Sequence, residues 1–414
     1  MGALSRTSLN VRREEVAHWL IGLRQRTVEA TRTDQPLQPL MAEQQAFVLS
    51  MMTDVAAELA VRRRIEPAEV IVYEAGAFSK GTCTIGSDLD LNVAAFDMDA
   101  GYGFEQGIRK TLAFLLNIRK SEIHNNDLNL ASHREKLRRE LPLDAQLWRR
   151  RRRGLIFKAA QHLFQRGVYR IFGKDTLDFV VWAAIRHPQL ILASGLHEAQ
   201  LFAAGDPWGG VFFDKTFIFG NELIFREIME EIEGSIDQDA VVENRAGLLS
   251  GLVGKTSSIQ RPDFPDVVEE CKDLEQAQHF IKHDGGYKTA LQLLFVLASM
   301  GGESMAGENN RLGYYQQSAA IEEVLGDRLR GELLASIDWL FKARAVISIY
   351  ANDGPNNPTM RSVSKSPDFS GRWVQENVLA AMGADSFADF LGAIADQRAV
   401  IQRAIGQAQG KGLE

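Results

Sequence analysis

Two aspartates two positions apart are the residues best suited to chemistry. The segment 76–93 reads GAFSKGTCTIGSDLDLNV, and in it Asp88 and Asp90 alternate with Leu89 and Leu91. Side chains of a β-strand point alternately to opposite faces, so both carboxylates are predicted to face a cleft while both leucines anchor the strand. Paired carboxylates suit Mg²⁺, which is usually held by one or two carboxylates together with substrate phosphates. The alternative is a strand turn whose aspartates are merely solvated.

A glycine-rich turn lies just upstream and favours the metal interpretation. Gly76 and Gly81 allow the main chain to approach a triphosphate closely, because glycine adopts conformations closed to other residues. The amides of such a turn, with the side chains of Ser79, Lys80 and Thr82, can hold phosphate oxygens. The turn and the aspartate pair together predict a site for a metal-bound nucleoside triphosphate.

The same residues carry a family resemblance. Gly-Ala-Phe-Ser-Lys-Gly-Thr followed by Ser-Asp-Leu-Asp-Leu resembles the signature of the polymerase-beta-like nucleotidyltransferase superfamily, in which Gly-Ser, a short spacer and Asp-x-Asp form the active site. Within it, Lys80, Gly81 and Thr82 are most similar to the oligoadenylate synthetases and the bacterial synthases that resemble cyclic GMP-AMP synthase. Ala77 stands where the family usually has serine, which removes one expected phosphate contact. The resemblance implies that Ala77 and Ser87 also line the nucleotide site.

The resemblance further implies a third metal carboxylate on another strand. In TLDFVVWAA, Asp178 is a lone acid within an apolar run, and burying it without a partner would be costly. The family pattern makes Asp88, Asp90 and Asp178 the catalytic carboxylates that bind two Mg²⁺ or Mn²⁺ ions. Asp175 is a competing candidate, and a strand end that faces water is the alternative.

A second segment matches the part of the family that contacts the donor triphosphate. LEQAQHFIKHDGGYKTALQLLFVLA resembles a pair of helices in those enzymes, and it implies this contact for Lys282, Tyr287 and Lys288. Lysines beside a helix turn are otherwise simply solvated.

A third match, ISIYANDGPNNPTMRSV, is similar to the family's Asp-Pro-x-Asn-Pro-x-x-Asn-Val element. It keeps Asp353, Asn357 and Pro358 but lacks the proline directly after the aspartate. The match supports common ancestry and identifies no site residue. It falls in the polar segment 352–371, which we expect to be a long loop, and such loops are often functional.

Hydrophobic periodicity predicts an α+β protein. Residues 41–63 repeat apolar side chains at helical spacing, and EVIVYEAG, DLDLNVAAF and TLDFVVWAAI are typical of strands. Helices are predicted over 222–233, 273–300, 316–349 and 386–409. We therefore expect a nucleotidyltransferase-fold catalytic lobe with a mixed sheet at 1–215, and a mainly helical lobe at 216–414 that closes the nucleotide cleft.

Length, composition and charge exclude several classes of protein. The 414 residues are 45% hydrophobic and 24% charged, which is ordinary for a globular protein. No apolar run approaches the roughly 20 residues of a membrane span, and the printed sequence starts without the apolar core of a signal peptide. We therefore expect a cytoplasmic protein with no membrane partner. Its only cysteines, Cys83 and Cys271, are expected to be reduced thiols.

A run of five arginines, Arg149–Arg153, is the main basic feature. A net charge of -7 argues against a protein that coats nucleic acid nonspecifically. The run is nevertheless a candidate contact for RNA or DNA, since clustered arginines bind phosphates. A solvated helical face is the alternative.

The expected function follows from the resemblance. Nucleoside triphosphates such as ATP or GTP would be joined into a cyclic or linear oligonucleotide second messenger, with release of pyrophosphate, as in bacterial antiphage signalling. The alternatives are transfer of nucleotides to an RNA end or a protein, and a catalytically inactive module that binds nucleotides or RNA.

Overall fold

The computed structural model describes residues 6–120, 123–124, 187–207, 215–254, 266–302, 311–361, 369 and 371–410. The predicted strand at TLDFVVWAAI lies outside these ranges, as do Asp175, Asp178 and Arg149–Arg153. Within them the protein is α+β and mostly helical, which confirms the expected class.

A small sheet forms the centre of the described fold. Its strands are β1 (Val70–Ala75), β2 (Leu89–Ala95), β3 (Ile123–His124) and β4 (Lys215–Gly220), in the order β3-β2-β1-β4. β1 pairs antiparallel with β2 and β4, whereas the two-residue β3 pairs parallel with β2. β1 and β2 confirm two of the predicted strands, and β4 was not predicted.

Helices surround this sheet and make up most of the described chain. They are α1 (Arg6–Arg32), α2 (Gln38–Arg63), α3 (Met98–Leu115), α4 (Pro188–Ala203), α5 (Glu222–Gly234), α6 (Gln238–Glu243), α7 (Arg245–Gly254), α8 (Val267–Glu270), α9 (Leu274–Lys282), α10 (Tyr287–Met300), α11 (Arg311–Gln317), α12 (Ala319–Ala351), α13 (Arg372–Met382) and α14 (Phe387–Gly410). Four of the helices, α2, α5, α12 and α14, were predicted in position, and the fifth predicted helix, 273–300, is two helices, α9 and α10. Among the described residues, no single helix is long and apolar enough to cross a bilayer, and α13 with α14 meets that criterion only when joined across a 52° bend.

The two faces of the sheet belong to different hydrophobic cores. Val70 and Val72 of β1 pack with Leu89 and Leu91 of β2 in the core formed with α1, α2 and α3. Tyr73, on the other face of β1, belongs to the larger core built mainly by the later helices. Both cores take residues from either side of position 215, so the division into lobes at 1–215 and 216–414 stays a prediction.

Arg24 of α1 ties the first helix to the end of α12. It is fully buried, and its guanidinium donates to the main-chain carbonyls of Ile349, Asn352, Gly354 and Thr359 at 2.6–3.2 Å. Burial lowers its pKa to about 10, against the opposing charge of a nearby aspartate. The first part of the predicted polar loop, up to residue 361, therefore encloses a structural cation.

Candidate functional site

The segment 76–87, called the site loop below, joins β1 to the aspartate pair and folds tightly. Gly76 has φ +127°, and a Cβ at that position would collide with the Asp90 carboxylate. The Ser79 hydroxyl donates to the Gly76 carbonyl at 2.8 Å and accepts from the Gly76 amide at 3.1 Å. Gly81 also adopts a positive φ of 68°. The two predicted glycines are thus required by the conformation of the loop and by the closeness of an acidic side chain.

The second half of the site loop leads directly into β2. The Ser87 hydroxyl accepts from the Thr84 amide at 2.9 Å, and the Ser87 amide donates to the Thr84 carbonyl at 2.9 Å. This turn ends directly before Asp88, so Asp88 and Asp90 lie at the start of β2. Both aspartates are half-buried and line a cavity, whereas the intervening Leu89 lies in the core. The predicted alternation of the two faces is confirmed.

The cavity beside the aspartates has a volume of about 360 Å³. The loop side of its lining includes Ala75, Gly76, Ala77, Lys80, Thr82, Ser87, Asp88 and Asp90. The helical side includes Lys282, Tyr287, Lys288, Leu291, Gln292, Phe295, Arg311, Tyr315 and Arg344. Segments distant in sequence therefore meet at one site. Small-molecule pockets commonly span about 300–1,000 Å³.

Two lysines reach the cavity because α9 and α10 are separated by a tight reversal. Asp284 and Gly285 have positive φ values of 47° and 96°. A Cβ on the next residue, Gly286, would collide with main-chain atoms of α9. The reversal places Lys282 at the end of one helix and Lys288 at the start of the next, and both line the cavity.

Burial and crowding of like charges shift both lysines. The pKa of Lys282 falls to about 7, first through burial and then through Arg344 and Lys288, against the attraction of Asp88 and Asp90. The pKa of Lys288 falls to about 8, through burial and then Lys80 and Arg344. We call Lys282, Lys288, Arg311 and Arg344, which line one side of the cavity, the cationic wall. Within it, repulsion by Arg344 lowers the pKa of both lysines. An anion in the cavity would relieve that repulsion.

Tyr287 positions one member of the cationic wall, Arg344. Its ring is buried and packs against Phe341 with centroids 4.8 Å apart, and its hydroxyl accepts a hydrogen bond from Arg344. Burial raises the pKa of the phenol, so it stays protonated. Tyr287 lines the cavity as predicted and also positions Arg344, which sequence reasoning missed. An arginine inside the apolar run WLFKARAVISIY was the available signal.

The end of the cavity lined by Phe295 is apolar, and polar groups of Arg311 and Gln292 lie beside it. The Arg311 guanidinium lies 5.7 Å from the Phe295 ring centroid, and Leu291 and Tyr315 lie on the same wall. Gln292 donates to the carbonyl of Pro207, which fixes its amide at the cavity edge. Aromatic faces beside a fixed amide and a guanidinium suit a planar heterocycle such as a nucleobase. None of these residues was singled out from the sequence.

Glu74, on β1 opposite Leu91, is a second feature that the sequence reading missed. It is completely buried, and burial together with the charge of Asp90 raises its pKa well above the usual range. The amides of Ser79 and Asp90 oppose this shift, but neither carboxylate oxygen accepts a hydrogen bond of standard geometry from a described residue. Burial, and after it the charge of the Glu74 carboxylate, also raises the pKa of the buried Cys83 thiol well above its usual range.

The predicted site residues are largely brought together. The cavity is lined by ten of the predicted site residues, Gly76, Ala77, Lys80, Thr82, Ser87, Asp88, Asp90, Lys282, Tyr287 and Lys288, and Gly81 contributes through its positive φ to the conformation of the loop. Ser79 is the first exception, because it is buried with its hydroxyl bonded to Gly76, and its predicted nucleotide contact stays a prediction. The second is Asp178, which lies outside the described residues. Both cysteines are free thiols.

The donor set fits a divalent cation that shares its shell with a substrate. Within the described ranges, no three His, Cys, Asp or Glu side chains group so as to enclose a metal ion. Asp88 and Asp90 supply two carboxylates at one edge of the cavity. Mg²⁺ is commonly bound in this way, with phosphate and water oxygens in its remaining positions.

Comparison with known proteins adds no family assignment: no family model, curated protein or solved structure matches this chain.

Proposed function

We propose that this protein is a metal-dependent nucleotidyltransferase that joins nucleoside triphosphates into a cyclic or linear oligonucleotide and releases pyrophosphate. The observation that carries the proposal is a cavity with an aspartate pair at one edge and five cationic side chains around it, contributed by chain segments far apart in sequence. Carboxylates alone would suit many metals, and cations alone would suit many anions. Their combination suits a polyphosphate bound with Mg²⁺ or Mn²⁺.

In this proposal the chain's own residues bind and orient the two reacting groups. Lys282 and Lys288 neutralise the triphosphate, and Lys80 meets it from the site loop. An acceptor hydroxyl forms a bond to the α-phosphorus while the bond from that phosphorus to the bridging oxygen breaks, so the electron pair leaves with pyrophosphate. Asp178 is our candidate for receiving the hydroxyl proton. Positioning and charge neutralisation supply most of the rate enhancement.

The metal site belongs to Asp88 and Asp90, with Asp178 proposed as a third ligand. Bound divalent ions would polarise the phosphates and lower the pKa of the acceptor hydroxyl. A second-messenger product and a role in bacterial antiphage signalling, in the cytoplasm, come from the sequence resemblance alone.

A product assay tests the proposal directly. The purified protein is incubated with each α-labelled nucleoside triphosphate and Mg²⁺ or Mn²⁺, with and without RNA, and the products are treated with phosphatase. A label that phosphatase does not release, in a small product, supports an oligonucleotide synthase. Label on RNA supports the tailing alternative, and nucleotide binding without any product supports an inactive binding module.

Matched variants show whether the cavity is responsible. Asp88→Asn and Asp90→Asn remove metal ligands, and losing several kcal/mol of transition-state stabilisation corresponds to a decrease of about a hundredfold or more. Asp396→Asn makes the same chemical change on an exposed helical position and should leave the rate unchanged. Full activity in both cavity variants would rule out the proposed site.

A further inference from the structure

Helix α2 buries two consecutive glutamines in an otherwise apolar face. Gln44 is 2% exposed and Gln45 is 8% exposed. Their buried neighbours on the helix include Met41, Val48 and Met52. A primary amide is costly to bury unless its hydrogen bonds are replaced inside the protein. Two such residues in succession therefore indicate specific partners.

Those partners are main-chain carbonyls in the two halves of the site loop. Gln45 Nε2 donates to the Phe78 carbonyl at 2.5 Å, and Gln44 Nε2 donates to the Thr84 carbonyl at 3.2 Å. Neither glutamine lines the cavity, and neither do Phe78 and Thr84. The two side chains thus hold the loop from the side away from the proposed substrate.

A hydrogen bond to a main-chain carbonyl restrains the whole peptide unit and not only its oxygen atom. The peptide unit is planar, so a hydrogen bond to its oxygen also sets the direction of the following amide. Two neighbouring loop carbonyls are held in the same way, since Ser79 accepts from the Thr216 hydroxyl at 3.3 Å and Lys80 accepts from the Arg311 amide at 3.2 Å. Oxygens engaged by these donors cannot rotate toward a bound phosphate, which their partial negative charge would repel.

We propose that Gln44 and Gln45 are positioning residues that hold the site loop in its polyphosphate-binding conformation. This inference rests on the proposed function for its ligand, but the conformation of the loop can be measured without any ligand. Cys83 supplies that measurement, because its thiol is fully buried beneath the loop.

The test uses Gln44→Met, Gln45→Met and the double variant, with Gln402→Met, at an exposed position of α14, as the matched control. In a Cys271→Ser background, we expect a thiol reagent to modify Cys83 at least tenfold faster in the double variant than in the control. The dissociation constant of inorganic tripolyphosphate with Mg²⁺ should rise about tenfold for each lost hydrogen bond. Thermal melting identifies any variant that fails to fold.

A conservative variant separates positioning from general packing. In Gln45→Glu, a protonated carboxyl can donate to the Phe78 carbonyl, whereas a carboxylate cannot. The ratio of its dissociation constant to that of the wild type should approach one at low pH and rise with pH. The same ratio for Gln45→Met should stay constant.

Unchanged Cys83 reactivity in the double variant would overturn the inference, as would unchanged tripolyphosphate affinity in variants of a wild type that binds. If the wild type binds neither tripolyphosphate nor any nucleotide, the proposed function is wrong, and the Cys83 rates still decide whether the glutamines hold the loop.

Discussion

Titration of the two cavity lysines should make nucleotide binding strongly dependent on pH. In the ligand-free protein, Lys282 has a pKa of about 7 and Lys288 of about 8. A bound triphosphate adds negative charge to that of Asp88 and Asp90, so the complex is expected to hold both lysines protonated. Binding is therefore accompanied by proton uptake, and affinity decreases as the pH rises above 7. Without ligand the sign is reversed: lowered lysine pKa values mean that stability increases as the pH rises from about 7.

The size of the effect follows from the fraction of each lysine that is protonated. Between pH 7 and pH 9, that fraction decreases roughly 50-fold for a pKa of 7 and roughly tenfold for a pKa of 8. If the complex requires both charges, affinity should decrease by a factor on the order of 500. In Lys282→Met the first factor disappears, so the remaining decrease should be about tenfold.

Fluorescence titration with a labelled nucleoside triphosphate at pH 7, 8 and 9 measures this dependence. The ligand has a methylene group in place of the oxygen between its α- and β-phosphorus, which prevents turnover while Mg²⁺ is present, and the last ionisation of its Mg²⁺ complex lies below this pH range. Lys272→Met, an exposed lysine before α9, is the matched control and should keep the full wild-type slope. A wild-type affinity that is constant from pH 7 to pH 9 would refute the assignment of these lysines to the phosphates, as would an unchanged slope in Lys282→Met.

Three further predictions concern Glu74, Gly76 and Arg24. Because the pKa of Glu74 is raised in the folded protein, the unfolded chain loses this proton first, and the stability of the wild type decreases as the pH rises above about 4.3. The Tm of Glu74→Gln should therefore increase relative to that of the wild type from pH 5 to pH 8. Equal Tm values at pH 8 would contradict this. Gly76→Ala places a Cβ at a position with positive φ and against a cavity carboxylate, so it should lower the free energy of unfolding by about 1–3 kcal/mol and remove most activity. The control Gly234→Ala, whose Cβ meets open space, should change neither quantity. Urea unfolding and activity assays compare the two variants. Arg24→Met removes a buried cation from the main-chain carbonyls around it and should lower the free energy of unfolding in urea by about 3–5 kcal/mol. The control Arg26→Met breaks a surface ion pair and should lower it by less than about 1 kcal/mol. Similar losses for both variants would contradict a structural role for buried Arg24.

The strand and loop half of the site could be predicted because its information is local. In DLDL, the two-residue period of a strand fixes which side chains share a face, whatever the rest of the chain does. The glycines flanking Lys80 mark positions where only that residue type fits, and the structure shows positive φ values at both Gly76 and Gly81. β1, β2 and the aspartate pair were therefore placed correctly from the sequence.

The opposite wall could not be predicted in full because it depends on tertiary packing. Arg344 lies in the last third of the long helix α12, and its guanidinium is positioned by Tyr287 of α10, which is far away in sequence. Glu74 is the last residue but one of β1, near a strand end, where a polar residue ordinarily meets water. It is buried because the site loop folds over it, and the sequence pattern of β1 does not indicate that.

Helix α1 was missed for a related reason. Its sequence carries many charged residues, and only part of one face is buried. The residue that secures it is Arg24, a type normally found at the surface. Its partners are carbonyls at the end of α12, and no sequence pattern links positions so far apart.

The main-chain hydrogen bond between the Lys80 carbonyl and the Arg311 amide has a consequence for biosynthesis. The acidic edge of the cavity leaves the ribosome early, whereas α11 and the segment around Arg344 emerge much later. A nascent chain that has not reached Arg344 lacks one of the cationic side chains that line the cavity with the aspartates. If the proposed function is correct, only a chain whose synthesis has passed Arg344 has every cationic side chain of the cavity to bind a nucleotide.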